Sequence, residues 1–393
     1  MDSIWVTLIP LPFHKPGPIH TIDPASDILI SIPPLDPHSP FAPWPASSST
    51  TTTTQKHKPH PLSQSGLRIA VSSKHLTLAS PHIFPPKLSH FHRPAITHPD
   101  GRIHLHVAPG CDARAAAIVL NAVHGKSFKL PKHVDLETLA HIARFAHTFG
   151  FVEAVSAHAE LWILRVLAER GVPAGYEREL VLWVYVSWVF GHEEVFREVT
   201  RVAAVGSTGR IERLGLPIGE GVVAAIDELR QHLVARTTDA IYGVVESLSN
   251  GSVACDEHHC DALLLGELVK SLSKRGILWP RAEKPFAGLG HAELVDSISA
   301  LAQHRQFERN SKGAVNGTAK LVNGSKHPNG VNGVNGVNGV NGSHKPVSGK
   351  PNGSPAAAKL GIHECNATRL VAGLGQLREL ADDVSGLEVG TVV

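Results

Sequence analysis

The stretch from Asp135 to Val166 constrains the fold of this chain more than any other. Its first half is apolar except for one stripe of polar residues at helical spacing, which we expect to face solvent. That stripe comprises Glu137, His141, Arg144 and Thr148. After Gly150 the helical spacing starts again with Val155, Ala159, Trp162 and Val166. The sequence therefore predicts two helices folded into a hairpin, with Asp135 as the N-cap of the first.

Three short stretches before the hairpin have the pattern of strands. Ile28–Ile32 is apolar and β-branched, and the alternation at Leu67–Val71 predicts a second strand that pairs with it. Ile103, Leu105 and Val107 also alternate with polar residues, and a tight turn at Asp100-Gly101 precedes them. We expect the polar neighbours on this third strand, His104 and His106, to lie on the wet face of a sheet rather than to bind metal.

Two helices are expected between these strands and the hairpin. Ser72 or Ser73 is predicted to cap a short helix that runs through Ala79 and that Pro85 and Pro86 stop. A longer helix is predicted from Asp112 to His124, with Cys111 before it as a small core residue.

The order of these elements resembles a fungal BTB/POZ domain. The similarity lies in LRIAVSSKHLTLASP (Leu67–Pro81), RIHLHV (Arg102–Val107), ARAAAIVLNAVHG (Ala113–Gly125) and the paired helices, and it spans roughly residues 22–165. It implies an α+β fold, with a small sheet capped by helices and a helical hairpin, in a domain that we place at 22–170. The resemblance also implies a protein-interaction module without catalytic residues. Pro85 and Pro86 depart from the family pattern in a part that often contributes to a dimer surface, so a homodimer is possible but less strongly indicated.

A second, mostly α-helical region is predicted at 174–307. Leu180–Phe190 favours a buried helix over a strand because of its length, and amphipathic helices are expected near 195–203, 220–248, 260–272 and 292–307. This region resembles the helical extension that follows the BTB domain in a group of fungal proteins. Trp162 is expected to anchor the interface between the two regions, because it lies on an apolar stripe just before the break at Gly171–Pro173.

The remaining segments have the composition of disordered chain. Residues 1–21 are proline-punctuated, apart from a possible strand at Ile4–Ile9, and residues 35–65 form a polar insertion. Residues 308–357 are rich in Asn and Gly, with a repeated Asn-Gly-Val triplet that indicates a flexible linker. Leucines at 370, 374, 377 and 380 predict that a helix within 358–393 returns to the helical region.

Composition argues against several classes of function. The formal charge of +2 gives no reason to expect a nucleic-acid or membrane partner, and four cysteines in 393 residues fit a reducing compartment. The N-terminus does not have the pattern of a signal peptide, and the longest apolar run, Leu180–Phe190, is shorter than the ~20 residues of a membrane span. We therefore expect a cytoplasmic or nuclear protein.

One stretch has the residue types of a metal site. Cys255-Asp-Glu-His-His-Cys260 contains thiol and imidazole ligands, but it lacks a second ligand pair nearby, as structural zinc usually requires. Cys260 is better explained as the entry to a helix, with Asp261 in its first turn and Leu264, Leu268 and Leu272 on one face.

No catalytic or cofactor motif is found, so the leading expectation is a non-enzymatic adaptor or scaffold of BTB type. It could recruit substrates to a cullin-type ubiquitin ligase, as the family resemblance implies, or act as a nuclear regulator. The alternative is a metal-binding protein centred on Cys255–Cys260.

Overall fold

The structure is a computed structural model that describes residues 18–34, 41, 44, 66–84, 99–107, 110–252, 260–298, 369 and 373–392. These residues form an α+β fold with one small sheet and many helices, as predicted. The possible strand at residues 4–9 and nearly all of the predicted disordered segments lie outside the described residues.

The sheet contains four strands in the order β1-β3-β2-β4. They are β1 (Ile19–Thr21), β2 (Ile28–Ile32), β3 (Leu67–Val71) and β4 (Ile103–His106). Strands β2 and β3 pair antiparallel, as the sequence predicted, whereas β4 runs parallel to β2 and β1 parallel to β3. Residues 19–21 were expected to be disordered, but they form an edge strand because the exposed edge of β3 offers them backbone partners.

Within the described part of the chain, eight helices lie in sequence order up to residue 274. They are α1 (Ser73–Ala79), α2 (Ala113–Val123), α3 (Leu136–Phe149), α4 (Val152–Arg170), α5 (Arg178–Phe190), α6 (Glu193–Gly206), α7 (Glu220–Ser249) and α8 (Cys260–Lys274). Residues 291–298 form α9, and Glu379–Asp382 forms the short α10. Three 3-10 turns lie at Ser127–Lys129, Leu374–Arg378 and Val389–Thr391. No helix within these described ranges is both long and apolar enough to cross a lipid bilayer.

The cap predicted at Asp135 is confirmed, and Asp112, predicted as the start of its helix, also caps it. Asp112 and Asp135 accept backbone N–H bonds at the starts of α2 and α3, as expected of aspartate N-caps. Of the two serines predicted to cap α1, Ser72 occupies the N-cap position, but its side chain makes no capping bond. Instead, the Asp27 carboxylate accepts the backbone N–H of Ser73 at 2.7 Å and also its hydroxyl. A carboxylate from the turn before β2 therefore replaces the local cap, and α1 ends at Ala79, before the two prolines.

The hairpin of α3 and α4 turns at Gly150, as predicted. Gly150 has φ 70°, the left-handed conformation that favours glycine, and its N–H bonds to carbonyls in the last turn of α3. A Cβ at this position would lie 2.6 Å from the Ser80 Oγ. The turn therefore requires glycine both for its backbone angle and for the close approach of α1.

The polar stripe of α3 does not face solvent, which corrects the expectation from the sequence. Glu137 accepts two bonds from Arg178 at 2.7 and 2.8 Å, and Arg144 donates to the Gly110 carbonyl at 3.0 Å. His141 is only 8% exposed. Glu137 meets α5, which packs along α3, whereas Arg144 meets the loop before α2. His141 meets the Phe41 ring, so these three residues make internal contacts.

Helix α5 is enclosed on all sides, as its apolar sequence predicted. All eight residues from Leu180 to Ser187 are buried, and the helix packs against α3, α4 and α6. One continuous core cluster extends from Ile22 in the sheet region to Leu233 in α7. The two regions distinguished in the sequence therefore share a core.

Trp162 is buried as predicted, but its observed polar contact lies within the first region. Its indole N–H donates to the Pro131 carbonyl at 2.9 Å. Among the described residues, the polar and aromatic contacts between the two regions are made by residues other than Trp162. Besides Glu137–Arg178, His147 lies 3.3 Å from the Tyr185 hydroxyl and makes an edge contact with Trp188.

Arg230 joins α7 to the loop that contains residues 285–289. This fully buried side chain on α7 donates to the Asp227 carboxylate and to three carbonyl oxygens of one loop. Those acceptors belong to Pro285, Phe286 and Leu289. Leu264, Leu268 and Leu272 are buried in α8, as predicted, and Leu374 and Leu377 join the same cluster.

The C-terminal segment returns to the helical region, as expected, and then continues along α6. The Leu387 N–H donates to the Thr200 hydroxyl at 2.9 Å, and Arg197 pairs with Glu388 at 3.7 Å. Gly386 lies so close to α6 that an added Cβ would overlap the Arg197 carbonyl. This close approach fixes the segment on α6.

A double-mutant cycle on Glu137→Gln and Arg178→Gln tests whether the two regions are packed rather than tethered. Both side chains are less than a quarter exposed, so we expect a coupling free energy of about 1–2 kcal/mol in urea unfolding. The exposed pair Arg281–Asp239 is the control and should couple by less than about 0.5 kcal/mol. A coupling near zero for Glu137 and Arg178 would contradict the packed arrangement.

Gly386→Ala should destabilise the protein, because the new methyl group collides with the Arg197 carbonyl. We expect a loss of about 1–3 kcal/mol, the usual range for overpacking, measured by chemical denaturation. Gly390→Ala is the matched control, since no atom lies within 4 Å of its added Cβ. Equal effects of the two substitutions would show that the segment does not pack on α6.

Candidate functional site

A cluster of Asp23, His75 and His124 was not identified from the sequence. Asp23 lies between β1 and β2, His75 lies on α1, and His124 ends α2. One ligand-type atom from each lies within 4.8 Å of the others. Imidazole nitrogen and carboxylate oxygen are common metal ligands, so the cluster has the composition of a metal site.

The hydrogen bonds of His124 argue against metal binding at this cluster. Its Nε2 accepts the Ser72 backbone N–H at 3.1 Å, and its Nδ1 lies 2.8 Å from the Leu120 carbonyl, to which it donates. Both nitrogens are therefore in use, and a metal ion would have to displace Ser72. His124 instead ties the end of α2 to the junction of β3 and α1.

His75 lies on the outer side of the same cluster. Its ring stacks on that of His124 with centroids 4.6 Å apart, and its Nδ1 is 3.9 Å from the Asp23 carboxylate. The side chain is 45% exposed, so the ion pair is screened by solvent. The three residues lie far apart in the sequence, so no motif spacing could have revealed them.

Desolvation lowers the pKa of several histidines. Desolvation is the largest cause that lowers the pKa of His124, and the nearby His75 lowers it further, while the bond to Leu120 opposes both. Desolvation also lowers the pKa of His141, His147 and His291. The folded protein therefore resists protonation of these side chains.

Of the possible metal-binding stretch Cys255–Cys260, the structure describes only Cys260. Cys260 begins α8, as expected for a helix entry, but residues 253–259 lie outside the described residues. The metal hypothesis for Cys255–Cys260 therefore stays a prediction. Cys111 is buried as expected, and desolvation raises the pKa of its thiol.

The histidines of β4 occupy the outer side of the sheet. Ile103 and Leu105 are buried, whereas His104 and His106 are half-buried, which confirms the alternation. His104 Nε2 lies 3.0 Å from the Asp100 carboxylate. This contact is the main cause that lowers the pKa of Asp100.

Helix α4 carries a second apolar stripe on its exposed side. The stripe that faces the core consists of Val155, Ala159, Trp162 and Val166. Ala157, Leu161, Leu164 and Ala168 are all exposed and have the same spacing, displaced by two residues. Two residues correspond to about 200° around a helix, so the two stripes lie on opposite faces. The sequence contained this spacing, but periodicity alone could not show which stripe the core would cover.

A loop with an exposed phenylalanine contacts α4 at Trp162 and Arg165. Pro131 accepts a bond from Trp162, and Lys132 accepts one from Arg165, so the loop runs beside α4. Phe128 lies in the 3-10 turn of this loop and is fully exposed. We define the α4 surface as Leu161 and Leu164, the two large apolar side chains of this outer stripe.

The loop beside α4 carries basic charge around Phe128. Lys126, Lys129 and Lys132 lie within four residues of Phe128, and the last two are exposed. On α4 itself, Arg165 and the acidic residues Glu153, Glu160 and Glu169 are exposed. The exposed leucines of α4 therefore lie on a helix with charges of both signs, and the basic charge is concentrated on the loop.

Protein stability should fall as the pH drops below about 6.5, the pKa of an unperturbed histidine. Below that value the unfolded chain binds protons at histidines that the folded protein keeps neutral, so unfolding is favoured. Each such histidine contributes up to about 1.4 kcal/mol per pH unit until its lowered pKa is reached. Urea unfolding between pH 7.5 and 5.5 measures the slope.

His124→Gln should make this slope shallower, because one of the neutral histidines is removed. His133→Gln changes a side chain that is 73% exposed and is the control. An unchanged slope in His124→Gln would mean that His124 is not held neutral by the fold.

Comparison of the chain with models of known families, with curated proteins and with solved structures found no match in any of the three.

Proposed function

We propose that this protein is a non-enzymatic protein-interaction module, an adaptor or scaffold of BTB/POZ type. The exposed α4 surface is the observation that carries the proposal. Leu161 and Leu164 are 53% and 49% exposed, and Phe128, on the loop that contacts α4, is fully exposed. Exposed large apolar side chains beside charged ones are typical of protein-interaction sites.

The order of elements in the first region supports the family assignment. Strands β2 and β3, helix α1, strand β4, helix α2 and the α3–α4 hairpin follow the order that the resemblance implies. The α4 surface belongs to the second helix of that hairpin.

The basic loop indicates the chemistry of the partner. Three lysines around Phe128 favour a protein that places acidic side chains beside an apolar anchor. The proposal covers two roles, a substrate adaptor of a cullin-type ubiquitin ligase and a nuclear regulator that does not itself contact nucleic acid. Both place the protein in the cytoplasm or the nucleus, and a homodimer is compatible with either.

A metal-binding protein centred on Cys255–Cys260 is the alternative function. Its support is the residue composition of that stretch. Metal analysis of the purified protein, with a Cys255→Ser, Cys260→Ser double variant beside it, separates this alternative from the interaction module.

The double substitution Leu161→Glu, Leu164→Glu should abolish partner binding without unfolding the protein. Both side chains are about half exposed, so the charges remain hydrated and the melting temperature should change by only a few degrees. Quantitative proximity labelling in cells should lose specific partners, because the new charges oppose burial of the α4 surface. Each lost partner is then purified and titrated against both forms, with at least about a hundredfold weaker binding expected for the variant.

Leu263→Glu is the matched control, because this leucine is 61% exposed on α8 and does not belong to the α4 surface. Light scattering after gel filtration shows whether the lost partner is a second copy of the chain. An unchanged set of labelled proteins and an unchanged mass would show that the α4 surface is not a contact site.

A further inference from the structure

Two aromatic residues from the predicted insertion 35–65 are docked on the folded protein. Phe41 is 2% exposed, belongs to the main core cluster and stacks on His141 with ring centroids 4.2 Å apart. Trp44 is partly buried and meets the Tyr176 ring edge-on at 5.0 Å. Two aromatic residues of this low-complexity segment, three positions apart in the chain, therefore each make a specific ring contact.

Trp44 contacts Tyr176, which lies in the connection between α4 and α5. The Tyr176 hydroxyl accepts the Glu212 backbone N–H at 2.7 Å. Gly206, at the end of α6, approaches so closely that an added Cβ would lie 3.0 Å from the Tyr176 Cβ. The Tyr176 ring, which Trp44 contacts, is therefore positioned by two other contacts, the bond to Glu212 and the packing of Gly206.

The Phe41 contact leaves one polar atom unsatisfied. His141 is more than nine-tenths buried, and its Nδ1 has no hydrogen-bond partner among the residues that the structure describes. A buried nitrogen without a partner costs free energy, so the site would bind more tightly a ligand that also supplies a donor or acceptor there.

We propose that His141 and Tyr176 form a binding site for a peptide segment with two aromatic side chains three positions apart, and that Phe41 and Trp44 occupy this site as an internal ligand. The external ligand is a segment of a partner protein with the same aromatic spacing. Its two aromatic rings take the positions of Phe41 and Trp44, and its backbone can form a hydrogen bond with the His141 Nδ1. The site is separate from the α4 surface.

Occupation by the chain itself makes the site selective. A tethered segment has an effective concentration of about millimolar order, so a free peptide must compete against it. Only a partner that binds more tightly than the internal segment, or that is itself held nearby, displaces Phe41 and Trp44. The proposal relies on the proposed function only in naming a protein as the partner.

A labelled peptide with the sequence of residues 36–48 tests the site directly. The full-length double variant Phe41→Ala, Trp44→Ala should bind it in fluorescence anisotropy, whereas the unaltered protein should bind at least about tenfold more weakly. A peptide with both aromatics replaced by alanine should not bind. Tyr176→Ala added to the double variant should weaken binding.

Thermal unfolding gives a second readout if the double variant is poorly folded. The single variant Trp44→Ala keeps the buried Phe41 contact, and the peptide should raise its melting temperature, because a ligand of the native state stabilises it. Trp279→Ala is the control, since Trp279 is 72% exposed and lies in another part of the protein. The peptide should not raise the melting temperature of that variant.

The proposal is overturned if the peptide binds neither the Phe41→Ala, Trp44→Ala double variant nor the Trp44→Ala variant. It is also overturned if the peptide binds the unaltered protein and the double variant equally. No partner protein is used, and the α4 surface is left intact. The result is therefore distinguishable from failure of the proposed function, in which Leu161→Glu, Leu164→Glu has no effect.

Discussion

The burial of helix α5 is the constraint on which the rest of the structure depends. Eight consecutive residues, Leu180–Ser187, are at most 1% exposed, so the helix has no face that can remain in water. Each large apolar side chain among them contributes about 1.5–3 kcal/mol on burial. Helices α3, α4 and α6 must therefore surround it, and two of these belong to the sheet region. This requirement joins the two regions into one core and brings Glu137 of α3 into contact with Arg178.

Local patterns predicted the elements well. The helical spacing at α3, α4, α6, α7 and α8 and the alternation in β3 and β4 are each set by neighbouring residues, so they can be read without knowing the fold. The aspartate caps were predictable for the same reason. Ser72 was not, because its place is taken by Asp27, a residue 45 positions earlier.

Long-range contacts could not be predicted in the same way. A stripe of polar residues looks the same in the sequence whether it meets water or another part of the protein. His141 was misassigned for this reason, because Phe41, 100 positions earlier, stacks on it. The Asp23–His75–His124 cluster depends on three separate elements meeting, and the docking of Phe41 and Trp44 depends on partners about 100 and 132 residues away. The outer stripe of α4 was visible as spacing, but only the packing shows which of two equivalent faces stays exposed. The surfaces that we propose for binding are thus those that sequence periodicity describes least.

The shared core has a consequence for synthesis of the chain on the ribosome. The hairpin of α3 and α4 emerges before α5, so its inner surfaces, including Glu137 and His147, remain uncovered until residue 190 has been translated. Domains of this size generally fold as units while translation proceeds at about 5–20 residues per second. The nascent sheet region must therefore wait for a helix from the following region before it is complete. A translational pause between residues 170 and 190 would prolong the exposure of apolar surface at this stage, when chaperones are most needed.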